Sequence, residues 1–187
     1  MVQFALNRDD SGPVEIQVLE PDSVRERWLP WKAKTPPPVG DSSDRRFWPV
    51  VMRYADGIEL HFAGDPDFII FHGAKGRMRM RRNYFDTDPS NLVAQGPDAS
   101  VIDKWRGSGH VARPHLENWI DCIASRSIPN APVEAGHRTA SICHLANIAR
   151  EQNLSLRWNP QTEQFVDNDR ANEALDRPRR KGFELPG

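Results

Sequence analysis

The sequence predicts one α+β domain, spanning residues 1–187, in which a mainly antiparallel, open-faced sheet is backed by two principal helices. Two observations carry this prediction. Residues 110–152 contain two helical patterns separated by a proline-bearing turn. Most of the remaining chain contains short runs with the alternation of half-buried strands, several of them joined by glycine-containing turns. A chain of 187 residues is long enough to bury a substantial core as a single domain.

The two helical patterns differ in how much of their surface is apolar. The first begins near Pro114, which suits a first-turn position, and its apolar residues form one stripe. That stripe comprises Leu116, Trp119, Ile120, Ile123 and Ala124. We expect this helix to pack against another element. The second pattern follows Pro132, ends near Gln152 and is apolar almost all round, so we expect it to be sandwiched at the centre of the core.

Strand patterns precede and follow the two helices in the sequence. The predicted strands are residues 14–19, 47–54, 58–62, 68–72, 77–81, 154–158 and 164–166. Asp56 and Gly57 form a turn of the kind that closes hairpins, and Gly73 and Gly76 mark a second hairpin. These two hairpins predict an antiparallel sheet. Near the end, Asn168 and its acidic neighbours are suitable N-caps for a short helix that reaches Leu175.

Three segments have no regular pattern. Residues 20–46 contain five prolines and two tryptophans, and we interpret them either as a surface excursion or as a loop that covers substrate or contacts a subunit. Residues 84–105 cannot be assigned. Residues 176–187 are basic and irregular, which fits a solvated tail or an arm that wraps a neighbouring subunit. Residues 1–6 have the pattern of a helix end whose beginning is missing.

The last strand of the second hairpin has one basic face. Met78 and Met80 alternate with Arg77, Arg79 and Arg81. This alternation is typical of a half-buried strand with a solvated outer face. An anion site or a partner surface is the other interpretation.

Composition excludes several classes of protein. The net charge is −1, with 27% charged residues, so the chain lacks the broad basic surface of a nucleic-acid binder. No apolar run approaches the roughly 20 residues of a membrane span, and no signal peptide is visible, which leads us to expect a cytoplasmic protein. Cys122 and Cys143 lie in the two helices, where we expect reduced thiols on or beside the packed surface.

Motifs of known chemistry are weak. The match to GxGxxA at residues 107–112 does not follow a buried strand and has no surrounding βαβ unit, so we expect no cofactor turn there. His137 and His144 share a helical face with Glu134 and Ser141, and this face could hold a metal, although no HExxH motif supports it. Neither a GxSxG elbow nor a local cysteine signature indicates a nucleophile.

Longer stretches resemble a known family. The segments HLENWIDCIASRSIPNAPVEAGHRTASICHLANIA and LSLRWNPQTEQFVDNDRANEALDRPRRKGFELP are similar to the C-terminal half of the glucose-fructose oxidoreductase, inositol dehydrogenase and rhizopine-catabolism (Gfo/Idh/MocA) family of NAD(P)-dependent oxidoreductases. The similarity extends upstream through FHGAKGRMRM, FWPVVMRYADGIEL and VQFALNRDDSGPVEI. It covers nearly the whole chain.

The resemblance implies different roles for the two halves of the complete enzyme. In that family a Rossmann half binds NAD(P), and the second half contributes substrate contacts and pairs with another subunit through the open face of its sheet. The lysine of an E-K-P turn and an H-x-x-D motif carry the chemistry, and neither is present here; Met1 falls just after the expected position of that histidine motif. Hydride transfer needs a bound cofactor and a group that takes the alcohol proton.

Our main hypothesis is a substrate-binding and oligomerisation domain of a sugar or polyol oxidoreductase, not competent for hydride transfer alone. NAD(P) is implied only for the complete enzyme, and this chain supplies no catalytic or cofactor-binding residue. Candidate substrate contacts are His110, Arg113 and Asn118 at the entry of the first helix, where polar donors could converge with the sheet edge.

Two alternatives belong to other classes. One is a stand-alone interaction module whose sheet face forms a homodimer or pairs with a separate cofactor-bearing protein. The other is a metal-dependent sugar lyase or isomerase that uses His137 and His144.

Overall fold

In the computed structural model of the protein, the described residues are 2–21, 43–62, 69–81, 84–93, 113–176 and 178–183. They combine antiparallel sheets with helices, which confirms the predicted α+β fold class. Two compact units are present, the first within residues 3–65 and 138–187 and the second within residues 66–137. The single-domain assignment stays a prediction.

Four α-helices are present among the described residues: α1 (Val2–Ala5), α2 (Arg113–Ser125), α3 (Val133–Gln152) and α4 (Asp169–Glu173). A 3-10 helix spans Arg45–Phe47. Asn168 caps α4 as predicted, because its side-chain oxygen accepts a hydrogen bond from the Ala171 backbone N–H at 2.9 Å. No helix in the described ranges is both long and apolar enough to cross a membrane.

The first unit is built on a five-stranded sheet. Its strands are β1 (Glu15–Val18), β2 (Val50–Arg53), β3 (Glu59–Phe62), β7 (Leu156–Asn159) and β8 (Gln164–Phe165). They lie in the order β3-β2-β1-β7-β8, and every pairing is antiparallel. The β2–β3 hairpin confirms the predicted Asp-Gly turn: Gly57 has a φ of 86°, which glycine adopts without strain.

The core of this unit lies between the sheet and the later part of α3. Ile142, Leu145, Ala146, Ile148 and Ala149 of that helix are buried in one cluster with sheet residues, among them Ile16, Met52 and Leu156. Trp158 also belongs to this cluster and meets the Phe165 ring edge-to-face at 5.0 Å. The helix therefore stabilises the sheet mainly by burying apolar surface.

The prediction that this helix is sandwiched is wrong. Cys143, His144 and Asn147 of α3 are exposed, so in the described part of the chain the helix packs along one face only. The sequence suggested burial all round because alanine and cysteine are compatible with either environment. The expectation that Cys143 lies on or beside the packed surface is corrected in the same way, since its side chain faces away from the core, whereas Cys122 is half-buried.

A buried polar network joins the turn after α1 to the β2–β3 hairpin. Gln3 is 1% exposed, and its amide donates to the backbone carbonyls of Arg8 and Ser11 at 2.9 Å each. Its carbonyl oxygen accepts the hydroxyl of Tyr54, which is itself 2% exposed. Burial raises the pKa of Tyr54 to about 12, so the phenol stays protonated as a donor well into the alkaline range. Nearby, Arg8 forms an ion pair with Asp56 in the hairpin turn.

The second unit contains a three-stranded antiparallel sheet in the order β4-β5-β6. Its strands are β4 (Ile69–Gly73), β5 (Gly76–Arg81) and β6 (Tyr84–Asp88). The β4–β5 hairpin was predicted, whereas β6 falls in the segment that the sequence left unassigned. Gly76 is required at the hairpin, because a Cβ there would fall against the Asp88 carbonyl oxygen.

The apolar stripe of α2 is exposed. Leu116, Trp119, Ile120 and Ile123 retain 49–59% of their accessible surface. The prediction that this stripe packs against another element is therefore wrong for the part of the chain that the structure describes. Among the described contacts, α2 instead uses its Asn118 side, whose side-chain oxygen accepts the Asn130 backbone N–H at 2.8 Å. This bond closes the turn after α2.

Candidate functional site

The face of the five-stranded sheet opposite α3 carries a row of charges. Strand register places Arg157 of β7 beside Glu15 of β1, Glu15 beside Arg53 of β2, and Arg53 beside Glu59 of β3. We call these four residues the charged row. Its signs alternate across four adjacent strands, and its end is extended by His61, whose Nε2 lies 2.9 Å from the Glu59 carboxylate.

Arg53 is the centre of this row. Its guanidinium donates to Glu15 at 2.7 Å and to Glu59 at 2.9 Å. These two hydrogen bonds, with Glu59 contributing more, raise the pKa of Arg53 above its ordinary value. The Arg53 and Glu15 side chains are about half exposed, at 49% and 51%, so the pairs contribute little to folding stability. Their geometry fixes where charge is presented.

The polar face of the three-stranded sheet is charged too. Arg77 pairs with Asp88 at 2.6 Å, and Arg79 lies 3.9 Å from the Asp86 carboxylate. Arg81, the third arginine of β5, is opposite Tyr84 in the strand register. Aspartates of β6 thus lie beside Arg77 and Arg79. The solvated outer face and the anion site or partner surface both stay predictions for this basic face.

The predicted substrate contacts lie on different sides of α2 or outside the described residues. His110 is among the residues that the structure does not describe. Arg113 is exposed, and its Nε donates to Glu117 at 2.8 Å, a pair that raises the pKa of the arginine. Asn118 follows Arg113 by five positions, about 140° around the helix, and its oxygen is already bonded in the turn. The substrate role of these residues stays a prediction.

The histidine face of α3 has not gained support as a metal centre. His137 and His144 are both exposed and are separated by two helical turns, roughly 10 Å along the axis. Within the described ranges, no group of three or more histidine, cysteine, aspartate or glutamate side chains lies close enough together to hold a metal ion.

The sequence did not reveal which charged residues of neighbouring strands lie beside one another on either sheet. The charged row depends on cross-strand register between segments far apart in the chain, which no single segment shows. The aspartates of β6 had a detectable signal: Tyr84, Asp86 and Asp88 alternate with Phe85 and Thr87, the pattern of a strand with one polar face. The low strand propensity of aspartate obscured it.

The strand pairing bears on one kind of cofactor site, the dinucleotide-binding crevice of a parallel sheet. A dinucleotide-binding crevice lies at the carboxyl ends of parallel strands, with a helix N-terminus at the pyrophosphate. Every strand pairing among the described residues is antiparallel, so these residues form no crevice of that kind. The fold class that they show is mixed α+β with antiparallel sheets.

A family match identifies the chain more narrowly than this fold class does. Over residues 1–185 the chain matches the model of the Gfo/Idh/MocA oxidoreductase family that is described as the C-terminal alpha/beta domain. This match covers nearly the whole sequence, and the chain belongs to that family as a C-terminal domain. No curated protein and no solved structure matches the chain.

Proposed function

We propose that this chain is the substrate-binding and oligomerisation domain of a sugar or polyol NAD(P)-dependent oxidoreductase and does not transfer hydride by itself. The charged row is the observation that carries the oligomerisation part. It presents opposite charges in regular alternation on an exposed sheet face. The membership in an oxidoreductase family supports the enzymatic part, and the resemblance described above supports a role in carbohydrate metabolism.

The charged row is complementary to itself. In the order Arg157, Glu15, Arg53, Glu59 its signs are plus, minus, plus, minus. Two copies pack face to face about a two-fold axis that lies in the plane of the interface. When this axis runs along the strands, it reverses the order of the row, so each charge of one copy faces an opposite charge of the other. Arg157 then faces the partner's Glu59, and Glu15 faces the partner's Arg53. Such complementarity sets the register of two copies and disfavours wrong pairings.

The substitution Arg53→Glu tests this interface. It makes the two central positions of the row negative, so Glu15 and the new carboxylate face like charges across the two-fold axis. We expect the dimer dissociation constant to rise by at least about tenfold, because like charges that face one another cost several kcal/mol. Light scattering over a range of protein concentrations measures the change.

Two further variants make the test specific. The double variant Glu15→Arg/Arg53→Glu has the order plus, plus, minus, minus, which is again self-complementary, so dimerisation should return. Arg126→Glu changes the net charge by the same amount at an exposed arginine beyond α2 and should leave the dimer intact. A wild-type protein that is strictly monomeric, or a double variant that stays monomeric, would overturn the proposed interface.

A stand-alone interaction module is the second candidate. The exposed apolar stripe of α2 favours it, because contiguous exposed apolar residues commonly mark protein contacts. The molecule that the chain binds distinguishes the two candidate functions. Saturable binding of a sugar or polyol, weakened by Arg113→Ala, would support the substrate domain; pairing with a protein and no response to any polyol would support the module.

A further inference from the structure

We propose that Asp167 restrains dimerisation: its carboxylate pairs with Arg157 at the end of the charged row and repels the Glu59 carboxylate that a second copy brings to the same guanidinium. This role rests on the two-fold interface proposed above and identifies a residue that limits its affinity. The contact lies within one chain and competes with a contact between two chains.

Asp167 lies beside the end of the charged row. Its Oδ2 is 2.5 Å from Nη2 of Arg157. The backbone holds the two residues together, because the N–H of Val166 donates to the Arg157 carbonyl at 2.9 Å. Asp167 has a φ of 54° and lies between the end of β8 and Asn168, the N-cap of α4. The turn from β8 into α4 therefore places the carboxylate at Arg157.

Both side chains of this pair are accessible to a partner. The Arg157 side chain is 63% exposed, and the Asp167 side chain is 80% exposed. An ion pair as exposed as this one contributes little to folding stability. The Asp167 carboxylate instead lowers the positive potential that Arg157 presents at the sheet face.

The restraint follows from the geometry of the proposed dimer. There Arg157 faces the partner's Glu59, so Asp167 and the partner's Glu59 approach one guanidinium from two chains. Two carboxylates that contact the same guanidinium lie within roughly 4–6 Å of each other, where like charges repel. The two-fold axis makes this repulsion occur twice in each dimer. Removal of the Asp167 charge should therefore tighten the dimer.

Asp167→Asn tests this role. Asparagine has nearly the same shape and tolerates a positive φ, so the substitution removes the charge and keeps the turn. We expect the dimer dissociation constant, measured by sedimentation equilibrium at low ionic strength, to fall roughly threefold to tenfold, because the opposing charges are partly solvated. The gain should shrink at about 0.5 M salt, where exposed charges are screened.

Two further variants separate this role from a general change in charge or structure. Asp169→Asn removes the same charge from an exposed residue of α4 and should leave the dissociation constant unchanged. The variant Glu59→Gln has no carboxylate opposite Arg157, so adding Asp167→Asn to it should give no gain. A merely structural role of Asp167 would change the dissociation constant alike with and without Glu59→Gln.

Measurements on the wild type and on Arg53→Glu distinguish a wrong interface from a wrong role of Asp167. If Arg53→Glu weakens the dimer as expected, the interface stands. An unchanged or higher dissociation constant for Asp167→Asn, an equal gain in Asp169→Asn, or an equal gain in the Glu59→Gln background would then overturn the role of Asp167 alone. A strictly monomeric wild type would overturn the interface and the role of Asp167 together.

Discussion

Leu145→Ala is expected to lower the free energy of unfolding by about 2–5 kcal/mol. Leu145 is 2% exposed in α3 and belongs to the cluster that joins this helix to the five-stranded sheet. The substitution removes apolar contacts and leaves a cavity that the other members of the cluster, among them Met52 and Ile16, fill only in part. Denaturant-induced unfolding followed by far-ultraviolet circular dichroism measures the loss.

Leu116→Ala is the matched control. It makes the same chemical change in another helix, with the same small gain in intrinsic helix propensity, at a residue that is 53% exposed. We expect a change within about 0.5 kcal/mol. An equally large loss in both variants would show that the α2 stripe is buried in solution, and an unchanged Leu145→Ala variant would contradict the core described above.

Gln3→Leu is expected to destabilise the protein by about 2–4 kcal/mol, although leucine has nearly the same size. Three polar groups lose a hydrogen bond at once: the hydroxyl of buried Tyr54 and the backbone carbonyls of Arg8 and Ser11. The Arg8 carbonyl keeps its bond from the Ser11 N–H at 3.2 Å. A buried donor without an acceptor loses its hydrogen bond to water and gains nothing in return. Thermal and urea unfolding measure the change.

The double variant Gln3→Leu/Tyr54→Phe distinguishes this hydrogen-bond effect from packing. Tyr54→Phe removes the hydroxyl that Gln3→Leu leaves without an acceptor. The double variant should therefore lose less unfolding free energy than the sum of the two single losses. Gln164→Leu, an exposed glutamine of β8, should leave the unfolding free energy nearly unchanged. Strict additivity of Gln3→Leu and Tyr54→Phe would contradict the described network.

The local elements were predictable because their patterns are local. Alternation in residues 47–62 and the Asp-Gly turn defined one hairpin. The start of α2 beside Pro114 and both limits of α3, after Pro132 and at Gln152, agree with the prediction. Whether a pattern is buried depends on neighbours, which periodicity does not reveal. The stripe of α2 is thus as apolar as the buried face of α3, yet Trp119 is 56% exposed and Leu145 is 2% exposed.

The charged surfaces were not predictable for a related reason. Glu15, Arg53 and Arg157 are far apart in sequence and become neighbours only through strand register. The buried role of Gln3 has the same origin, since its partner Tyr54 lies in a hairpin about fifty residues later. By contrast, family membership was evident from long contiguous segments, and the family match over residues 1–185 confirms it.

Calorimetric titration of the purified chain with NAD and with NADP tests the central claim most directly. As a C-terminal domain whose described strands pair only in antiparallel fashion, the chain should release no heat of specific binding with either dinucleotide. Micromolar binding of NAD or NADP would contradict the assignment of this chain as a domain without a cofactor site.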